Sequence, residues 1–244
     1  MKHKKKKFKD ELKKHSTKFD ELHGQQEIQG KLIHVQTIFD KAREDFNDKN
    51  YDSALLAFEK VLGYIGSNTD PRLKEFACRA LFAKGLAQGK LNQSEQEIQT
   101  YNNLIAYVAD DQTPALREQV AMALNQVGFA LLCQSKQLIQ KSEFDSANIL
   151  LNQALEKFEL AIREHASGIC IGNKAYALAL LGQLEGSEQM FANALRAEVN
   201  GGETLYQGTL KDFDVHPIEQ DKAFRETVEQ QWALYQQELK VSGE

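Results

Sequence analysis

The chain has 244 residues, 42% of them hydrophobic and 27% charged, with 3 prolines, 3 cysteines and a formal net charge of −5. The apolar share is enough for a continuous core, but no stretch reaches the roughly 18 apolar residues that a membrane span requires. The overall acidity argues against a nucleic-acid binder, and Cys78, Cys133 and Cys170 lie too far apart for a metal knuckle or a redox CxxC motif.

Those cysteines read as small buried hydrophobes in a reducing compartment, which makes a cytoplasmic location the expectation. Alanine, leucine, glutamine, glutamate and lysine dominate, and no run of β-branched residues alternates convincingly, so an all-α chain is predicted. Residues 1–24 hold nine lysines against four acids. No apolar segment follows them, so they are not read as a secretory signal. Phe8, Leu12, Phe19 and Leu22 give this leader a thin apolar stripe. A frayed helix partly covering the first repeat is expected, with a basic arm for anionic lipid, through Lys2–Lys7, or for nucleic acid, or plain disorder, as alternatives.

Helix pairs follow. Leu32 to Asn47 is apolar at helical spacing, Asp48-Lys49-Asn50 turns, and Tyr51 to Ile65 makes the second helix. Asp70-Pro71 and Thr113-Pro114 are the same punctuation 43 residues apart, each a cap followed by proline at the first helical position. They open Arg72–Lys90, paired with Ser94–Val108, and Ala115–Lys141, paired with Glu143–His165. The third pair carries an insertion of about two turns, and its tips are expected to project beyond the stack. Ile169–Leu181 and Leu184–Glu198 form a fourth pair, which Asn200-Gly201-Gly202 stops. Glu203–Phe213 is one more helix. Asp221 then caps a last helix whose stripe is Phe224, Val228, Trp232, Tyr235 and Leu239. Three segments result: a basic extension over 1–30, repeats over 31–199 and a helical cap over 200–244.

The repeats are marked by small residues. Ala42, Gly85, Gly128 and Ala175 recur at spacings of 43, 43 and 47. Three of them are followed by a bulky–small–bulky mark: Tyr51-Ala54-Phe58, Phe144-Ala147-Leu151 and Leu184-Ser187-Phe191. Recurrence at this period signals stacked supersecondary units. At these residues, over roughly 32–198, the chain resembles the tetratricopeptide repeat (TPR) family. The second unit departs from the pattern, with Ser94 where an aromatic belongs and Glu97 where a small residue belongs. A buried carboxylate is costly, so either that helix rotates and leaves Glu97 wet, or Glu97 finds a cation such as Lys84.

The resemblance implies an α-solenoid, a right-handed superhelix of antiparallel helix pairs. It implies a non-enzymatic scaffold or adaptor binding a peptide or helix of another protein in a concave groove, with no cofactor and no metal. A regulatory, peptide-sensing role is the alternative. Groove positions carried over one by one are Gln36, Phe39, Arg43 and Asn47; Arg79, Phe82 and Leu86; Asn125, Phe129 and Leu132; and Asn173 and Tyr176. Arg43 and Arg79 suit an acidic group, the two asparagines a peptide backbone, and the aromatics apolar pockets. Phe82 and Phe129 also suit packing inside the stack, and the arginines also suit plain solvation. His216 and Asp221 share one turn, but Pro217 and the capping role of Asp221 account for that segment without a metal or acid–base site.

Overall fold

The computed structural model describes the backbone of residues 2–198 and 202–242, and the side chains of these except 2–14, 16, 20 and 242. The side chains of Lys2–Lys7, Phe8 and Leu12, and the Asn200-Gly201 stop, lie outside the described residues. Among the described residues there are ten helices and no strand: α1 (Lys2–Asn47), α2 (Tyr51–Ile65), α3 (Pro71–Lys90), α4 (Ser94–Tyr107), α5 (Pro114–Gln140), α6 (Phe144–Glu164), α7 (Gly168–Leu180), α8 (Leu184–Ala197), α9 (Glu203–Asp212) and α10 (Asp221–Ser242). The chain divides into two compact units, 1–91 and 92–244.

Helix ends follow from local chemistry. The Asp70 carboxylate accepts the N–H of Arg72 at 3.0 Å, and Pro71 sits where a missing N–H costs nothing. Thr113 departs from expectation, because its side chain makes no cap. Instead Asp111 Oδ1 accepts the Thr113 N–H at 3.0 Å, and a side chain two residues upstream fixes the turn. Ser167 Oγ accepts the N–H of Cys170 and caps α7. Four turns between helices share one feature, with Lys49, Asn92, Ser142 and Gly182 at φ of 63°, 59°, 63° and 77°. At three of them the next N–H reaches back five residues, Asn50 to Asp45, Glu143 to Leu138 and Gln183 to Leu178, which satisfies an otherwise orphaned helical carbonyl.

In the first unit α1 packs on α2, α2 on α3, and α1 also touches α3. The core is Val35, Phe39 and Ala42 against Ala54, Phe58, Val61 and Ile65, closed by Leu73, Ala77 and Ala80. In the second unit α4, α5, α6, α7 and α8 pack in sequence, and α10 lies on α7, α8 and α9. The small marks are where helices meet. Ala42, Ala54, Ala147, Ala175 and Ser187 are fully buried. A methyl group on Gly128 would stand 2.6 Å from the Phe158 ring, so only glycine lets α5 and α6 approach this closely.

Three expectations are corrected. The leader, expected as a frayed helix over the first repeat, instead continues into it as one unbroken helix from Lys2 to Asn47, with residues 17–19 and 21–27 exposed. The expected rotation of α4 is absent. Tyr101, Leu104 and Val108 are buried at an offset of 43 from Phe58, Val61 and Ile65. Glu97 is half-buried in the first turn of α4, where the helix dipole favours negative charge, while Lys84 pairs with Glu59 at 2.9 Å. Finally, the tip of α5 does not project freely. Its last turns hold the connection between α9 and α10, through Gln137 to His216 at 2.7 Å and Gln140 to the Pro217 carbonyl at 3.0 Å.

Candidate peptide-binding face

The twelve predicted groove residues separate into three groups. Phe39, Leu132 and Tyr176 are core side chains, 4%, 0% and 1% exposed, and offer no surface to a ligand. Their helices turn these positions inward because each is needed to fill the gap to the next helix. Asn125 and Asn173 are brought together and bond to each other. Asn173 Nδ2 donates to Asn125 Oδ1 at 3.0 Å, and Asn125 is buried. This bond ties α5 to α7.

The third group remains at or near the surface. Phe129 is half-buried on α5. The others share the first unit, with Gln36, Arg43 and Asn47 on α1 and Arg79, Phe82 and Leu86 on α3. Gln36 donates to Asp40 at 2.7 Å, and Arg43 is exposed with Asp40 at 3.9 Å. Asn47 is exposed, and Phe82 and Leu86 are half-buried.

Arg79 is the best-defined member. Its guanidinium lies 4.8 Å from the centroid of Phe39 and 5.1 Å from that of Phe76, and these two rings meet edge-on at 6.1 Å. Two aromatic faces hold the cation in place by electrostatic attraction and restrict its rotamers, so little entropy remains to be lost on binding an anion. Phe76 was not foreseen as part of this arrangement. Its position three residues before Arg79 and within reach of Phe39 carries no motif of its own.

A second polar assembly was not foreseen at all. Lys136, with no exposed side-chain surface, lies 3.0 Å from Asp221. Its Nζ donates to Tyr176 Oη at 2.7 Å, and Tyr176 Oη donates to Asp221 Oδ1 at 2.5 Å. Asp221 Oδ2 also accepts the Ile218 N–H at 3.0 Å. The expected cap of α10 therefore turns inward and joins α5, α7 and the start of α10. Burial, then the bond to Asp221, raises the Tyr176 phenol above its ordinary range. Burial pushes the Cys133 thiol up to about 12. Among the described residues no group of three or more histidine, cysteine or acidic side chains is placed to hold a metal ion, and no helix is long and apolar enough to cross a membrane.

The class of protein follows from these elements: an all-α protein whose helices pack in chain order within each unit, with small residues buried at the helix contacts. No protein-family profile matches the chain, and no curated protein matches it. Among solved structures it is similar to TTC0263, a thermophilic TPR protein in Thermus thermophilus, at 19% identity over 82% of this chain and 98% of that chain, with a TM-score of 0.48.

Proposed function

We propose that this chain is a non-enzymatic interaction scaffold, and that the face shared by α1 and α3 holds an acidic, partly apolar segment of another protein. The observation that carries the reading is the cation of Arg79 seated over Phe39 and Phe76. Arg43 and Asn47 stand exposed on the neighbouring helix, and half-buried Phe82 and Leu86 follow Arg79 along α3. A fixed guanidinium favours a carboxylate, and the adjoining apolar surface favours a bulky neighbour to it. Burial of Leu132 and Tyr176, and the mutual bond of Asn125 and Asn173, direct this reading to the first unit.

The test is selection from a random peptide library on the intact protein, followed by binding measurements on the enriched peptides. Enriched peptides are expected to carry an acidic residue within a few positions of an aromatic or aliphatic one. The Arg43→Glu plus Arg79→Glu variant is expected to bind them at least about tenfold more weakly, because a charge-assisted hydrogen bond contributes about 1.5–3 kcal/mol. Peptides without acids, bound equally by the variant, would refute the assignment.

A further inference from the structure

Among the described residues, the first half of α1 packs against no other helix of its own unit. Residues 17–19 and 21–27 are exposed, and packing begins only at Ile28 and Leu32. Yet Phe19, Leu22 and Ile33 place apolar side chains there, 66%, 50% and 61% exposed. Helical geometry puts these three within about 60° of one another. The packed face of the same helix is elsewhere. Phe19 to Phe39 and Leu22 to Ala42 are each separated by 20 residues, about five and a half turns. One continuous helix therefore carries two apolar faces on opposite sides, and its own unit covers one of them.

The line through Phe19, Leu22 and Ile33 has its own period in the sequence. Positions 8, 12, 15, 19, 22, 26, 29 and 33 alternate steps of four and three, and hold Phe, Leu, His, Phe, Leu, Gln, Gln and Ile. A 3.5-residue repeat with a narrow apolar line is the pattern of a coiled-coil seam, and polar residues at seam positions are used to fix pairing. A helix lying on a bilayer has a broad apolar face instead.

Charge selects the occupant and its direction. Lysines occupy 2, 4–7 and 9 at the start of α1, while the same face continues past Ile33 to exposed Asp40 and Glu44. Parallel pairing would set the lysine run beside its own copy. Antiparallel pairing brings positions 2, 4 and 5 within about a turn of position 40 of the other copy, an aspartate, and moves the rest of the run away from its own like charges. A second copy running antiparallel also satisfies two-fold symmetry, since each helix presents the same line to the other. With position 19 opposite position 22, position 15 faces 26 and position 8 faces 33. We propose that the first half of α1 joins two copies of this chain as an antiparallel two-stranded coiled coil. The inference does not depend on a ligand at the α1–α3 face.

The test uses the full chain. Sedimentation equilibrium is expected to give twice 27.6 kDa. Phe19→Glu plus Leu22→Glu is expected to halve that mass, with far-UV circular dichroism confirming that the helices persist. His15→Cys and Gln26→Cys, made separately, are expected to cross-link across copies only when the two variants are mixed, with the wild-type chain as the blank. Three results would overturn the proposal: a monomeric wild-type chain, an unchanged mass in the glutamate variant, or each cysteine variant cross-linking with itself. A monomer that binds phosphatidylserine vesicles through Phe19 and Leu22 would also overturn it and assign the face to a membrane surface.

Discussion

Replacing Asp221 with asparagine keeps the shape of the side chain and removes its charge, which isolates what the buried ion pair contributes. Lys136 has no exposed side-chain surface and Asp221 only 7%. With the carboxylate gone, the ammonium keeps Tyr176 Oη at 2.7 Å but loses its counter-charge 3.0 Å away. Breaking a buried pair by removing one partner typically costs about 3–5 kcal/mol, because the remaining charge stays desolvated. Asp221→Asn is therefore expected to destabilise the second unit by about 3 kcal/mol or more. Adding Lys136→Met removes the stranded charge and fills the space with a flexible apolar chain. The double variant is expected to recover most of the loss, with a coupling energy of at least about 2 kcal/mol. Urea unfolding followed by the fluorescence of Trp232 reads this directly. It is the single tryptophan of the chain, and its ring stacks on Tyr206 of α9 at 4.8 Å. A cost under about 1 kcal/mol for Asp221→Asn, or a double variant no better than the sum of the singles, would refute the reasoning.

Gly128→Ala is expected to cost roughly 1–3 kcal/mol, measured by the same unfolding curve, because the new methyl must displace the fully buried Phe158 ring. Ser187→Ala is expected to stabilise by about 1 kcal/mol. The Ser187 hydroxyl is buried with no hydrogen-bond partner, at a repeat position that Ala54 and Ala147 fill elsewhere. Stability should fall in alkali. Burial holds the Cys133 thiol up at about 12 and the Tyr101 and Tyr176 phenols above their ordinary range. The unfolded chain releases those protons from about pH 8.5 and about pH 10, so the contribution is whole below pH 8.5 and is lost as pH rises beyond it. Thermal melts across about pH 7 to 11 should show a descending midpoint, and a flat profile would contradict it.

The helix boundaries were legible because they depend on neighbours in sequence. Tyr51–Ile65 begins and ends where the apolar spacing places it, and the Asp70-Pro71 start needs only an acceptor two residues from a donor. The buried small residues were legible for the same reason, since a 43-residue recurrence predicts one contact made repeatedly. The depth of the predicted groove residues was not legible. Helical spacing says which residues share a face, but not how deeply a neighbouring helix covers it. Phe39 and Tyr176 were therefore expected at a surface and lie in the core. Glu97 misled in the opposite sense. Its charge suggested a displaced helix, whereas a position in the first turn accommodates it without any rotation.

From the sequence alone came the all-α class, the period, the turns and the opposed charge of leader and body, because each is read along the chain without knowing which helices meet. Only the tertiary structure could decide that Asn125 bonds Asn173, 48 residues away, and that Lys136 meets Tyr176 and Asp221 across 40 and 85 residues. Such contacts are fixed by the approach of separate helices, and a buried charge reveals its partner only once both have left water.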